Sequence, residues 1–199
     1  MSVQAPTPPQ ARPPIRLTAQ LLTCLVFLLI AAVIIVVAQD EPLSVFRGPM
    51  GVGNQLLFGL GLSALAAVGS YVSFRLTASS ESTRKTIAAY ARLDLSGFNP
   101  VWISLAAAVG EELLFRAALQ PLLGVWIVSL LFLLTHVPVY RFRKLDAATI
   151  AQAAGVFGGS VVLGFVFEYV GLLAAMLVHA WIDIVGLLIV RHAIQTRQG

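Results

Sequence analysis

The chain has 199 residues, 58% of them hydrophobic and 11% charged, with a net charge of +4 and a mean hydropathy of +0.89. A water-soluble globular domain of this length needs a polar surface that such a composition does not supply, so that class is excluded. One Cys excludes an internal disulfide framework, and the small basic excess reads as membrane orientation, with no nucleic-acid partner implied.

Residues 1–16, MSVQAPTPPQARPPIR, are rich in Pro and Gln and predict a disordered tail ending in a basic flank. The run Leu17–Ala38 carries no charge and is long enough for a helix to cross a hydrocarbon core of roughly 30 Å. It is longer than a signal-peptide core and ends in VVAQD, a poor cleavage site, so it reads as an uncleaved signal-anchor. Cys24 lies inside this run, away from every polar cluster, and reads as a packing residue.

A second span is expected over 52–76. The polar segment 77–99 then reads as a loop holding a short interfacial helix near 83–95. The third and fourth spans are expected over 100–119 and 122–137, with Pro121, Gly124 and Pro138 punctuating the turns around the fourth. The fifth and sixth are expected over 147–167 and 171–190. Long apolar runs without short alternating segments exclude a β-barrel. The expected architecture is an all-α polytopic membrane bundle of about six helices, forming one domain over 17–199.

With the N-terminus inside, eleven of the thirteen Lys and Arg fall on the cytoplasmic side. They are Arg12, Arg16, Arg75, Arg84, Lys85, Arg92, Arg141, Arg143, Lys144, Arg191 and Arg197, which places both termini in the cytoplasm. The cytoplasmic membrane of a bacterium is the expected location. Gly59, Ser63 and Ala67 on the second span, and Ala151, Gly155 and Gly159 on the fifth, form small-residue stripes expected to let helices approach closely.

Ionisable groups at membrane depth are costly and face a cavity or one another. Here they concentrate on three spans: Glu111, Glu112 and Arg116 on the third, His136 at the end of the fourth, and His179 and Asp183 on the sixth. Glu112 and Arg116 are four apart, so they share a helical face and suit an ion pair that lowers the cost of burying each. Glu111 lies about 100° round the helix from Glu112 and is less well placed for Arg116. It is the carboxylate left for chemistry, and partial desolvation suits it to act as a general base. His179 and Asp183 are also four apart, so the carboxylate is placed to orient the imidazole. One buried His or Glu is an ordinary helix-to-helix hydrogen-bond partner, whereas six such residues on three helices point to a site.

These residues resemble the motifs of the CPBP intramembrane proteases, the family that includes the CAAX proteases and bacteriocin-processing enzymes. EELLFR (111–116) is similar to its EExxxR motif, FLLTH (132–136) to FxxxH, and HAWID (179–183) to HxxxN or a variant of it. Order and spacing agree, and the similarity covers roughly 100–190, the expected catalytic core. The resemblance implies a membrane endopeptidase in which Glu111 and His136 activate a water while His179 and Asp183 serve the oxyanion. Its substrate would be a membrane-associated or lipidated peptide or protein, reached from lipid or from the aqueous mouth.

Asp183 departs from the motif, because an ionised carboxylate cannot donate a hydrogen bond to an oxyanion. It is left as a protonated donor, as a partner that orients His179, or as a metal ligand. Two His with nearby carboxylates are the makings of a zinc-type site. The chain has no HExxH, and no two of the site His share a helix, so a metal-free mechanism is favoured and no cofactor is expected. GGSV (158–161) ahead of His179 resembles a rhomboid Ser–His dyad, but that reading leaves Glu111, Arg116 and His136 idle. A transporter or scaffold using the same polar network is the non-enzyme alternative, and no internal repeat supports it.

Overall fold

The computed structural model of the chain describes residues 14–140 and 146–196. Most of the expected N-terminal tail, and Arg12, Arg141, Arg143, Lys144 and Arg197 of the charge argument, lie outside the described residues. The elements in order are α1 (Leu17–Ala38), a short α2 (Ser44–Arg47), α3 (Val52–Thr77), α4 (Glu81–Tyr90) and α5 (Asn99–Glu111). A π-helical segment (Glu112–Leu119), α6 (Gln120–Tyr140), α7 (Ala147–Tyr169) and α8 (Leu172–Gln195) follow. This is an all-α polytopic membrane protein.

Among the described residues five helical runs are long and apolar enough to cross a membrane, and the third covers 42 residues, Asn99–Tyr140. At 1.5 Å per residue a straight helix of that length would be twice the hydrocarbon thickness. It is not straight. Gly124 takes φ 76° and ψ 164°, outside the helical region and favoured by a residue without Cβ. The chain folds back there, bringing Phe115 and Phe132 to 5.0 Å between ring centroids although 17 residues separate them. The expected third and fourth spans are therefore the two arms of a hairpin. Pro121 and Pro138, expected to mark its turns, both sit within helix.

The outer faces are apolar where lipid would lie: Val33, Val37, Leu57 and Leu65 are each more than 60% exposed. Inside, α8 packs against α3, α5 and α7, while α1 packs against α5 and the π segment. Two of these approaches bring backbone against backbone. A Cβ on Gly59 of α3 would stand 2.9 Å from the Ala174 Cα of α8, and one on Gly110 of α5 would stand 3.0 Å from the Cys24 carbonyl oxygen of α1. Gly59 and its buried neighbour Ser63 thus form a packing stripe, as the sequence predicts.

The stripe on α7 is different. A Cβ on Gly155 or Gly159 would meet nothing within 4 Å, because these residues face a cavity. Small residues there leave space open and do not hold a helix interface together.

The interfacial helix begins earlier than expected and ends earlier. Ser80 caps α4 by accepting from the Thr83 N–H at 3.1 Å, and the helix stops at Tyr90. Beyond it, Ile15 pairs with Leu93: the Ile15 N–H donates to the Arg92 carbonyl at 2.7 Å and the Asp94 N–H donates to the Ile15 carbonyl at 3.0 Å. Ile87 of α4 packs on Leu95, Ile103, Leu187 and Val190. On its polar side, Lys85 bonds to Asp146 at 2.7 Å and Gln152 Nε2 donates to Thr86 at 2.8 Å, fastening α4 to the start of α7.

Candidate active site

The two-carboxylate stretch falls where α5 turns into the π segment. In a π turn the backbone N–H reaches five residues back, as Gln120 N–H does to the Phe115 carbonyl, so the coil widens and a side chain is displaced. Such a turn costs hydrogen-bond quality and persists where its neighbours hold it. Gln39 Nε2 donates to the Ala117 carbonyl at 2.7 Å, and Gln120 Nε2 donates to the Gly164 carbonyl at 2.9 Å. Phe115, Ala117 and Ala118 of this segment are buried in the apolar cluster with Ala31, Val128, Phe132 and Leu172.

Arg116 and Glu112 are both fully buried, and Arg116 Nε donates to Glu112 Oε2 at 3.1 Å. Arg116 also donates through Nη2 to Ser160 Oγ at 3.0 Å, and its guanidinium carbon lies 5.5 Å from the Phe132 ring centroid. Removing either member of such a pair would leave a charge in a medium that cannot solvate it. The other oxygen of Glu112, Oε1, stands 2.7 Å from His179 Nδ1. A carboxylate held by a guanidinium has only acceptors to offer, so Nδ1 carries the proton and Nε2 points away from Glu112.

His179 Nε2 lies 3.5 Å from Asp183 Oδ2 and 3.9 Å from Glu111 Oε2. The spacing rule assigned the orientation of His179 to Asp183, but Glu112 makes the shorter contact. Glu111 Oε2 is buried and has no hydrogen-bond partner among the described residues. His136 comes from the far arm of the hairpin. Its Nδ1 sits 2.9 Å from the Phe132 carbonyl, an acceptor, so the neutral ring carries its proton on Nδ1 and presents Nε2 as a lone pair. Its ring stacks on Phe132 at 4.4 Å between centroids, and Phe132 also meets His179 at 6.2 Å.

Glu111, His136, His179 and Asp183 all line one cavity of about 900 Å³. Its lining includes Gly155, Gly159 and Ser160 of α7 together with Ile15, Ser80, Arg92 and Tyr140. Tyr90 and Tyr140 also line it, their hydroxyls 3.0 Å apart. The structure thus gathers four of the six residues singled out by the sequence on the cavity wall. The other two, Glu112 and Arg116, are fully buried behind it, with Glu112 holding His179.

Two further contributors escaped the sequence reading, Gln39 and Gln120, and Ser160 was read there only as half of a Ser–His dyad. Each is a neutral polar residue in or beside an apolar run, and that was the signal available. Ser160 bonds to Arg116 and not to His179, whose nitrogens face Glu112, Asp183 and Glu111. The Ser–His dyad reading therefore falls. Among the described residues no group of three or more His, Cys, Asp or Glu is placed to hold a metal ion.

Residues 95–185 match the family model for Type II CAAX prenyl endopeptidase Rce1-like proteins. The chain carries an Rce1-like domain. The match spans α5, the π segment, α6, α7 and most of α8, so it contains every residue of the Glu–His network above. A domain of this family implies an intramembrane protease. Comparison with curated proteins and with solved structures gives no match to the chain.

Proposed function

We propose that the chain is an intramembrane endopeptidase that hydrolyses a peptide bond of a membrane-associated substrate, using a water activated by Glu111 and His136. The observation that carries this reading is Glu111 itself. It is a buried carboxylate outside the Arg116 ion pair, with Oε2 unpartnered and facing a large cavity beside two His. A merely structural carboxylate at this depth would be expected to spend both oxygens on partners.

The reaction follows from the donors and acceptors present. A water in the cavity donates one proton to Glu111 and attacks the scissile carbonyl carbon, with His136 Nε2 as a second acceptor that fixes its direction. The carbonyl π electrons move to oxygen, giving a tetrahedral oxyanion. On collapse the C–N bond breaks, and Glu111 returns its proton to the departing amine. Glu112 keeps His179 in one orientation throughout, and Arg116 keeps Glu112 there. No step uses a metal.

We take the mouth of the cavity to be the end lined by Ile15, Ser80, Arg92 and Tyr140, the side on which the basic residues accumulate. By that charge rule both termini and the mouth are cytoplasmic, and the substrate presents its cleavage site from that face. Family membership supports a peptide substrate, and a lipid-anchored peptide suits a cavity whose walls stand among apolar spans.

Glu111→Gln tests the assignment, because it removes the titrating group and keeps the shape. The probe is a farnesylated fluorophore–quencher peptide, with its unprenylated counterpart, in liposomes of phosphatidylcholine and phosphatidylglycerol. Cleavage by the parent protein and none by a folded Glu111→Gln protein is expected. Full turnover by the variant removes Glu111 from the role.

A further inference from the structure

Around Glu111 the site just described is rich in acceptors, and the Tyr90 and Tyr140 hydroxyls that also line the cavity bond to each other. Glu111, Glu112 and Asp183 are carboxylates, and both ring N–H groups whose positions the geometry fixes are already spent. His179 Nδ1 is directed to Glu112, and His136 Nδ1 to the Phe132 carbonyl. Hydrolysis of a peptide bond develops negative charge on the carbonyl oxygen, and a site that accelerates it aims donors at that oxygen.

Two buried serines of this protein spend their hydroxyl protons on their own helices. Ser63 and Ser104, each within a helix, donate their protons to the carbonyls of Gly59 and Pro100 four residues back, at 2.6 and 2.7 Å. This is the usual way a helix satisfies a buried hydroxyl. Ser160 does not do this. It is 1% exposed, it accepts from Arg116 Nη2 at 3.0 Å, and no acceptor among the described residues takes its proton. It lines the cavity next to Gly159, where a Cβ would meet open space.

We propose that Ser160 is a catalytic hydrogen-bond donor: its Oγ–H, polarised by the Arg116 guanidinium, binds the oxyanion formed in the cavity. The bond strengthens as charge moves from the carbonyl π bond onto oxygen, and no covalent bond to Ser160 forms or breaks. The arrangement gives Arg116 two functions from one position. Nε holds the carboxylate that orients His179, and Nη2 draws electron density from the hydroxyl that faces the substrate. It also explains why α7 brings a small wall to this place, since a side chain at 155 or 159 would occupy space beside the donor. This inference rests on the endopeptidase reading of the same cavity.

The test compares Ser160→Thr with Ser160→Val, two side chains of one shape that differ in the hydroxyl, alongside Ser160→Ala and Glu111→Gln. The probes are the farnesylated fluorogenic peptide in liposomes, a phosphinic analogue of it that mimics the tetrahedral state, and the uncleavable reduced-amide peptide that lacks the carbonyl oxygen. Ser160→Val and Ser160→Ala are expected to lose kcat by about 10²-fold with KM little changed, and to bind the phosphinic analogue about 10²-fold more weakly, with reduced-amide binding unaltered. Ser160→Thr is expected to keep most of the turnover. A residue that merely anchored Arg116 would shift the melting temperature without separating the two analogues.

Equal turnover by Ser160→Val and Ser160→Thr overturns the proposal, and so does covalent labelling of Ser160 by a fluorophosphonate, which would make it a nucleophile. The Glu111→Gln arm separates this inference from its foundation. Full turnover by that variant with the Ser160 losses intact would remove the base and leave the donor.

Discussion

His179 and Arg116 are held by the two oxygens of one carboxylate: Glu112 Oε1 stands 2.7 Å from His179 Nδ1, and Glu112 Oε2 accepts from Arg116 Nε at 3.1 Å. A single side chain therefore fixes a cation on its own helix and an imidazole on α8. Because all three are buried, the cost of losing the middle member falls on both ends.

Glu112→Ala is expected to leave Arg116 without its counter-charge and to destabilise the fold by about 3–5 kcal/mol, the range for a broken buried pair. Glu112→Gln keeps the shape and one acceptor oxygen, so its loss of stability should be smaller while activity still falls, since His179 loses the carboxylate that selects its tautomer. Thermal unfolding in detergent checks the first, and cleavage of the liposome-borne peptide checks the second. An unchanged melting curve for Glu112→Ala would contradict the burial of the pair.

The two small-residue stripes give opposite expectations. Gly59→Ala places a methyl 2.9 Å from the Ala174 Cα, a backbone atom that cannot swing aside, so α3 and α8 must separate. A loss of about 1–3 kcal/mol is expected, typical of overpacking. Gly155→Ala meets nothing within 4 Å and replaces a helix-weakening residue, so unfolding should be unchanged or slightly delayed. Melting temperatures of the two variants, measured side by side in one detergent, decide the matter. Equal losses at the two positions would place α7 against a neighbour.

How far the sequence reached depends on what kind of residue carried the information. The spans were legible because lipid demands uninterrupted apolar length, and the charged residues within them stood out because each is expensive there. The hairpin was half legible. Gly124 reads as a turn residue and is one, but Pro121 and Pro138 read the same way and sit within helix. Pro121 follows directly on the π segment, where the i to i−4 ladder is already disturbed, and Pro138 lies near the end of α6. The π segment itself was not legible, because it depends on donors remote in sequence. Gln39 reaches Ala117 across 78 positions and Gln120 reaches Gly164 across 44. A search limited to ionisable groups passes over neutral amides, although in lipid an unsatisfied amide is costly as well. Ser160 escaped as the partner of Arg116 for the same reason.

The junction of α4 and α7 should be sensitive to acid. Asp146 pairs with Lys85 and accepts from the Thr149 N–H at 2.8 Å, and these bonds, Lys85 first, hold its carboxyl at about 2 against an ordinary 3.8. A folded value below the unfolded one means that the stabilisation is complete above pH 3.8 and is lost as pH falls through about 2. Amide protection factors in the first turn of α7 and in α4 are expected to drop over that window. Asp146→Asn should show the reduced protection already at neutral pH, with no further loss in acid. Protection that stays flat in the parent protein would show that this contact does not fasten α4.

Asp183 separates the two ways of running the chemistry. Its Oδ2 lies 3.5 Å from His179 Nε2, on the cavity side, while Glu112 already fixes the other nitrogen. With the ring oriented from Nδ1, the carboxylate of Asp183 is a secondary partner, and a neutral amide of the same shape can take its place. Asp183→Asn is therefore expected to keep substantial turnover of the liposome-borne peptide, whereas Asp183→Ala, which leaves Nε2 without that neighbour, should lose more. A metal ligand would behave otherwise, since exchanging its carboxylate for an amide weakens binding of the ion and activity together. Chelator treatment of the parent protein is accordingly expected to leave cleavage intact, with no stoichiometric metal by elemental analysis. One tightly held zinc per active chain, lost in Asp183→Asn together with turnover, would replace the glutamate-activated water with a metal-bound one.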